Sequence, residues 1–72
     1  MRPATLEMAI LAKARLTVML EGRADVCAIG IALLAGGFGV KVNLLRPGGQ
    51  AIPAEIDGVP VIVEVTGGLS PL

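Results

Sequence analysis

Cys27, Lys41 and the carboxylates Glu55, Asp57 and Glu64 are the residues of this 72-residue chain whose types and spacing could do chemistry. A thiol becomes a nucleophile where a helix N-terminus or nearby cations lower its pKa in an accessible place. Cys27 instead sits among Val26, Ala28, Ile29 and Ile31, a setting that predicts a buried structural cysteine inside a strand. Glu55 and Asp57 precede a valine-rich run, where polar side chains ordinarily satisfy turn donors. Glu64 lies within that run and is expected to point outward beside Lys41 or Arg23 as solvated charge. A catalytic group made from Lys41, Glu64 and Asp57 would have to be shared between subunits.

The absences are more decisive. The chain has no histidine and no tyrosine, and its one serine, Ser70, falls in the tail expected to be loosely ordered. Histidine is the usual general base, nucleophile activator and metal ligand, so its loss removes three roles together. A zinc site needs about four Cys, His or carboxylate ligands, which one cysteine and scattered acids do not supply. Gly36-Gly37-Phe38-Gly39 invites comparison with a phosphate-binding loop. Such a loop leads into a helix N-terminus and often carries a lysine, whereas these glycines join one apolar run to another and read as a hairpin turn. No catalytic, cofactor or metal site is expected, and the chain reads as not an enzyme.

The elements that would position these residues can be read from the pattern. Residues 4–21 form a helix rich in Ala, Leu, Met, Glu, Lys and Arg, which lose little rotamer freedom in that conformation. Pro3 or Thr5 can start it, and Gly22 can end it. One stripe holds Met8, Ala9, Ala12, Leu16, Met19 and Leu20. The opposite side carries Leu11 and Val18, so the helix is apolar nearly all round, a mark of burial on more than one side. Residues 26–34, VCAIGIALL, are uncharged, with Cys27, Ile29, Ile31 and Leu33 on one face and Val26, Ala28, Gly30 and Ala32 on the other. A strand apolar on both faces reads as central. After a turn at residues 35–37, residues 37–45 alternate as a half-exposed strand.

Residues 46–50 break that strand, and residues 51–58 read as one helical turn with Pro53 first and Ile52 and Ile56 on one face. Residues 59–66 give a third strand with Val59, Val61, Val63 and Val65 inward, and Pro60 at a start or edge. The 13 residues between Leu45 and Val59 could carry a right-handed crossover that leaves the first strand central. The expected fold is α+β: an N-terminal helix on a three-stranded sheet, as one domain over residues 1–72 with a loosely ordered tail at 67–72.

Composition bounds the partners. Six basic and six acidic residues alternate without a run of either sign, and Phe38 is the only aromatic. Phosphate neutralisation and base stacking both lack their residues, which argues against nucleic acid. The longest uncharged stretch, Val26 to Val40, is 15 residues with four glycines, too short for a membrane span of about 20 residues. Glu7, Lys13 and Arg15 interrupt any signal-peptide core. A single cysteine, with no intramolecular disulfide possible, fits a reducing compartment, and a cytoplasmic location is expected.

One segment carries a family resemblance. The string Ile52-Pro53-Ala54-Glu55-Ile56-Asp57-Gly58-Val59-Pro60-Val61, with Val63, Val65, Thr66 and Gly67, resembles a small domain found ahead of some bacterial trypsin-like peptidases. Val26–Ile31 and Gly39–Leu44 match that domain's two earlier strands, so the resemblance spans roughly residues 5 to 67. It implies an α+β accessory domain and no proteolysis, since the catalytic residues of such proteins belong to the peptidase domain. The helix of those domains has a strongly charged face, where this chain has Leu11, Ala14 and Val18.

Apolar residues make up 54% of the chain, above the ~45–50% usual for globular proteins. A chain of about 60 residues buries only roughly 60% of its unfolded surface. The surplus predicts a homo-oligomer, most simply a two-fold dimer, acting as an assembly or protein-interaction module. The alternative is a small-ligand or peptide-binding protein with an apolar pocket between helix and sheet, where Ala28, Gly30 and Ala32 leave room.

Overall fold

The computed structural model describes residues 3–47 and 52–65. The expected tail at 67–72, Ser70 with it, lies outside the described residues, as do 48–51. The element order is α1 (Leu6–Met19), β1 (Val26–Leu34), β2 (Gly37–Leu44), β3 (Glu55–Ile56) and β4 (Val59–Val65). The chain is thus α+β, with one helix over a four-stranded mixed sheet of order β1-β2-β4-β3.

Thr5 caps α1: its hydroxyl accepts from the Met8 backbone N–H at 3.1 Å, and its own N–H meets the Met8 sulfur at 3.5 Å. The reciprocal arrangement is a capping box with a thioether in place of the usual carboxylate or amide. Ala9, Ala12, Leu16 and Leu20 are buried against the sheet. Two alanines at the contact let the helix backbone approach closely. Met8 and Met19, expected in the same stripe, are exposed at its margins.

β1 and β2 form an antiparallel hairpin closed by Ala35-Gly36, as the glycine signal predicts. β2 and β4 run parallel, with Val40 beside Val61 and Val42 beside Val63. On the helix side, Val40, Val42 and Leu44 are fully buried, with Val59 and Val61 beside them. Val63 and Val65 share that side by register but lie exposed at the rim. A helix is about 10 Å across and strands stand about 4.8 Å apart. One helix therefore covers little more than two strands, and here it lies over β2.

Three expectations are corrected. β1 is an edge strand, not the centre, because β4 pairs with the other side of β2. Gly39 helps make that possible: a side chain there would meet Leu34 Cδ1 at 2.8 Å and the Pro60 carbonyl at 3.0 Å. The sheet has four strands, because residues 55–60 make a β-hairpin in place of a helical turn. Asp57 and Gly58, at φ 49° and 83°, are its two turn residues, the left-handed pair that a type I′ turn requires. Lastly, Val26 and Cys27 exchange sides relative to simple alternation. A β-bulge between Val26 and Ala28 inserts Cys27 as an extra residue, so Val26 packs on the helix side with Ile29 and Ile31.

The N-terminal segment is locked over Gly37, whose φ is +146°. A Cβ there would come within 2.7 Å of the Ala4 carbonyl, and Phe38 donates its N–H to that carbonyl at 2.9 Å. Two substitutions probe this frame. Leu16→Ala should lower unfolding stability by about 2–5 kcal/mol, since a fully buried leucine leaves a cavity. Gly37→Ala should lower it by about 1–3 kcal/mol through backbone strain. Urea unfolding measures both, and a loss under about 0.5 kcal/mol for either would place that residue outside the frame.

Candidate interaction surface

The residues singled out for chemistry are not brought together. Lys41 Nζ pairs with Glu64 Oε1 at 3.0 Å on the sheet face turned away from α1. Asp57, on the β3–β4 turn, instead receives a hydrogen bond from the Arg15 guanidinium on the helix. The Lys41–Glu64 pair and Asp57 thus belong to opposite sides of the sheet, and Glu55 stands exposed on β3. Both ion pairs are largely solvated, a setting in which such pairs contribute about 0–1 kcal/mol. No three His, Cys, Asp or Glu side chains form a metal-holding group among the described residues.

Cys27 is exposed, contrary to the burial its neighbours suggested. The cause is the bulge, which takes it out of the alternation that buries Ile29 and Ile31. Its thiol donates to the Asn43 carbonyl at 3.4 Å.

Arg23 and Asp25 form a two-pronged pair ahead of β1, at 3.0 and 2.6 Å, with both side chains about three-quarters covered. The Asp25 backbone carbonyl also accepts from Leu45 N–H at 2.8 Å, joining the start of β1 to the end of β2. The hydrogen bond from Arg23 holds the Asp25 carboxyl below its ordinary value, against a smaller opposing effect of desolvation.

The surface left open has three parts. On α1, Leu6, Ile10, Leu11 and Val18 face away from the sheet, Leu11 and Val18 being 67% and 71% exposed. The sheet face opposite α1 carries Ala28, Gly30, Ala32, Gly39 and Ile62 around the Lys41–Glu64 pair and Asn43. The Asn43 Oδ1 is buried there without a hydrogen-bond partner. The third part is a groove of about 500 Å³ between the N-terminal segment and the two hairpin turns, lined by Pro3, Ala4, Leu34, Phe38, Gly58 and Pro60 among others. The space between helix and sheet, where the alternative reading put a pocket, is filled by Ala9, Ala12, Leu16, Val40, Val42 and Leu44. No helix among the described residues is long and apolar enough to cross a membrane.

Sequence reasoning found the helix's outer stripe and the small residues of the open face. It missed the groove, which depends on where the N-terminal segment crosses Gly37, and no residue pattern announces that crossing. Comparison with known protein families, curated proteins and solved structures returns no match for this chain.

Two measurements follow. A thiol reagent should label Cys27 to completion in dilute native protein, and a requirement for denaturant would contradict its exposure. For Asp25 the folded pKa is depressed, so its contribution to stability is complete above the unfolded value of about 4. That contribution is lost as pH falls through the lower folded value. Asp25→Asn should therefore be less stable at neutral pH, with a shallower loss on acidification. An acid-unfolding series in which the variant and parent keep a constant difference would contradict the pairing.

Proposed function

We propose that the protein is a non-enzymatic assembly module that associates with copies of itself, most simply as a two-fold dimer. The observation that carries this reading is the amount of apolar surface left open on both layers, on the outer stripe of α1 and along β1. Contiguous apolar patches beyond a few hundred Å² are rare on soluble monomers. A two-fold arrangement is the commonest closed solution, because one patch satisfies its own copy. The resemblance of residues 52–61 to a peptidase accessory domain supports a partner-facing role over a catalytic one. A reducing, cytoplasmic setting suits a chain whose single thiol is exposed.

The groove supports a second reading, binding of a small apolar ligand or peptide end. Its volume is within the roughly 300–1,000 Å³ of ligand sites, and Pro3, Leu34, Phe38 and Pro60 give it apolar walls. Its described lining has no polar side chain to fix a ligand's orientation, so it ranks second.

Light scattering behind size exclusion tests the proposal. The expected result is a mass twice 7.3 kDa. A monomer persisting at about 100 μM, a limit of roughly 5.5 kcal/mol of association, would overturn self-association and favour the groove.

A further inference from the structure

We infer that β1 is the dimer seam: its outer edge pairs antiparallel with β1 of a second copy about a two-fold axis at Gly30. This rests on the self-association proposed above and names the surface that performs it.

The composition of β1 does not match its place in the sheet. All nine residues from Val26 to Leu34 are uncharged, and all but Gly30 carry apolar side chains or the cysteine thiol. Yet none of them is fully buried, and Leu33 is 78% exposed. β2, with Lys41, Asn43 and two glycines in eight residues, has four buried positions. The more apolar strand is thus the less covered one. Its helix-side residues Ile29 and Ile31 are only partly buried against the core, because nothing among the described residues stands beyond them. A neighbouring strand would supply the missing wall and turn β1 into the central strand its composition describes.

Among the described residues nothing protects the edge itself. An edge strand presents a row of unpaired N–H and C=O groups, and natural proteins blunt such edges with charge, proline or brevity. The opposite side of this sheet uses all three: β3 is two residues long, and β4 carries Pro60 and Glu64. Along β1 the one irregularity is the bulge at Cys27, which leaves Ala28 to Leu34 as seven regular residues. Two-fold antiparallel pairing about Gly30 sets Ile29 opposite Ile31 and Ala28 opposite Ala32. Each face of the seam then meets its own kind, and no two like charges oppose each other. Leu33 falls opposite Cys27.

The choice of this edge over the other open surfaces follows from charge. Stacking two sheets through the face opposite α1 would bury the Lys41–Glu64 ion pair, whose desolvation cost can exceed the Coulombic gain. Edge pairing leaves that pair in water. It also places both α1 helices on one side of a continuous eight-stranded sheet, with Ile29, Ile31 and Leu33 of both copies between them.

Cysteine scanning tests the seam. In a Cys27→Ser background, Ala28→Cys, Gly30→Cys and Ala32→Cys are made singly. A Cβ at Gly30 meets nothing within 4 Å, so that substitution fits the folded chain. Gly30→Cys should form a disulfide-linked dimer under mild oxidation, and the other two should do so far less. Cross-linking strongest at Ala28→Cys or Ala32→Cys would overturn the Gly30 axis while keeping the edge. A dimer by light scattering in which none cross-links, and which Val18→Glu dissociates, would overturn the seam and leave self-association standing. A monomeric mass for the parent chain would overturn both.

Discussion

One fourteen-residue helix is all the cover that the described chain gives its sheet, and most other features follow from where that helix lies. It is about 21 Å long at 1.5 Å per residue and sits on β2 through Ala9, Ala12 and Leu16. Val40, Val42 and Leu44 are sealed there, and the register carries Val59 and Val61 in beside them. Outside that footprint the cover is incomplete: no residue of β1 on one flank is fully buried, Val63 and Val65 on the other are exposed, and the reverse face has no second layer among the described residues. The Thr5 cap, the crossing of Ala4 over Gly37 and the Arg15–Asp57 bond all fix the helix to this position, so the same contacts that make the core define what is left open.

The open surface is not uniform. Its β2–β4 part is punctuated by the solvated Lys41–Glu64 pair and by Asn43. Its β1 part has no such group. An uncharged strand at an unprotected edge is a local disagreement between sequence and structure, and natural sequences are generally consistent across such levels. The proposed pairing of β1 with its copy would remove the disagreement without disturbing the core, and would leave Leu11, Ala14 and Val18 exposed on the helix.

Much of the architecture was legible in the residues. The helix, the β1–β2 hairpin and the last strand came from periodicity and glycine placement, because each is a local property. Residues 55–60 were misread although the signal was present: Asp57-Gly58 between Ile56 and Val59 is a hairpin turn, but Pro53 and the Ile52–Ile56 spacing imitated a helix start. The bulge at Cys27 left no mark, so the exposure of the thiol and the inward turn of Val26 could not be read. The placing of β1 at the centre failed for a different reason. Side-chain alternation reports on the two faces of a strand, whereas an edge or central place is set by which strands pair, and here β4 pairs with β2. For the candidate surface, the outer helix stripe and the small residues of β1 were visible in advance, while the groove depended on a long-range crossing with no local signature.

The proposed pairing of the outer edge of β1 with its copy is open to residue-resolved amide hydrogen exchange across a dilution series. In dilute protein, the β1 amides that point away from β2 should exchange quickly while those bonded to β2 are protected. Raising the concentration should slow the outward set, centred on Gly30, and leave β2 and β4 unchanged. Outward β1 amides that exchange equally fast at every concentration, while the protein is demonstrably dimeric, would rule out pairing through this edge.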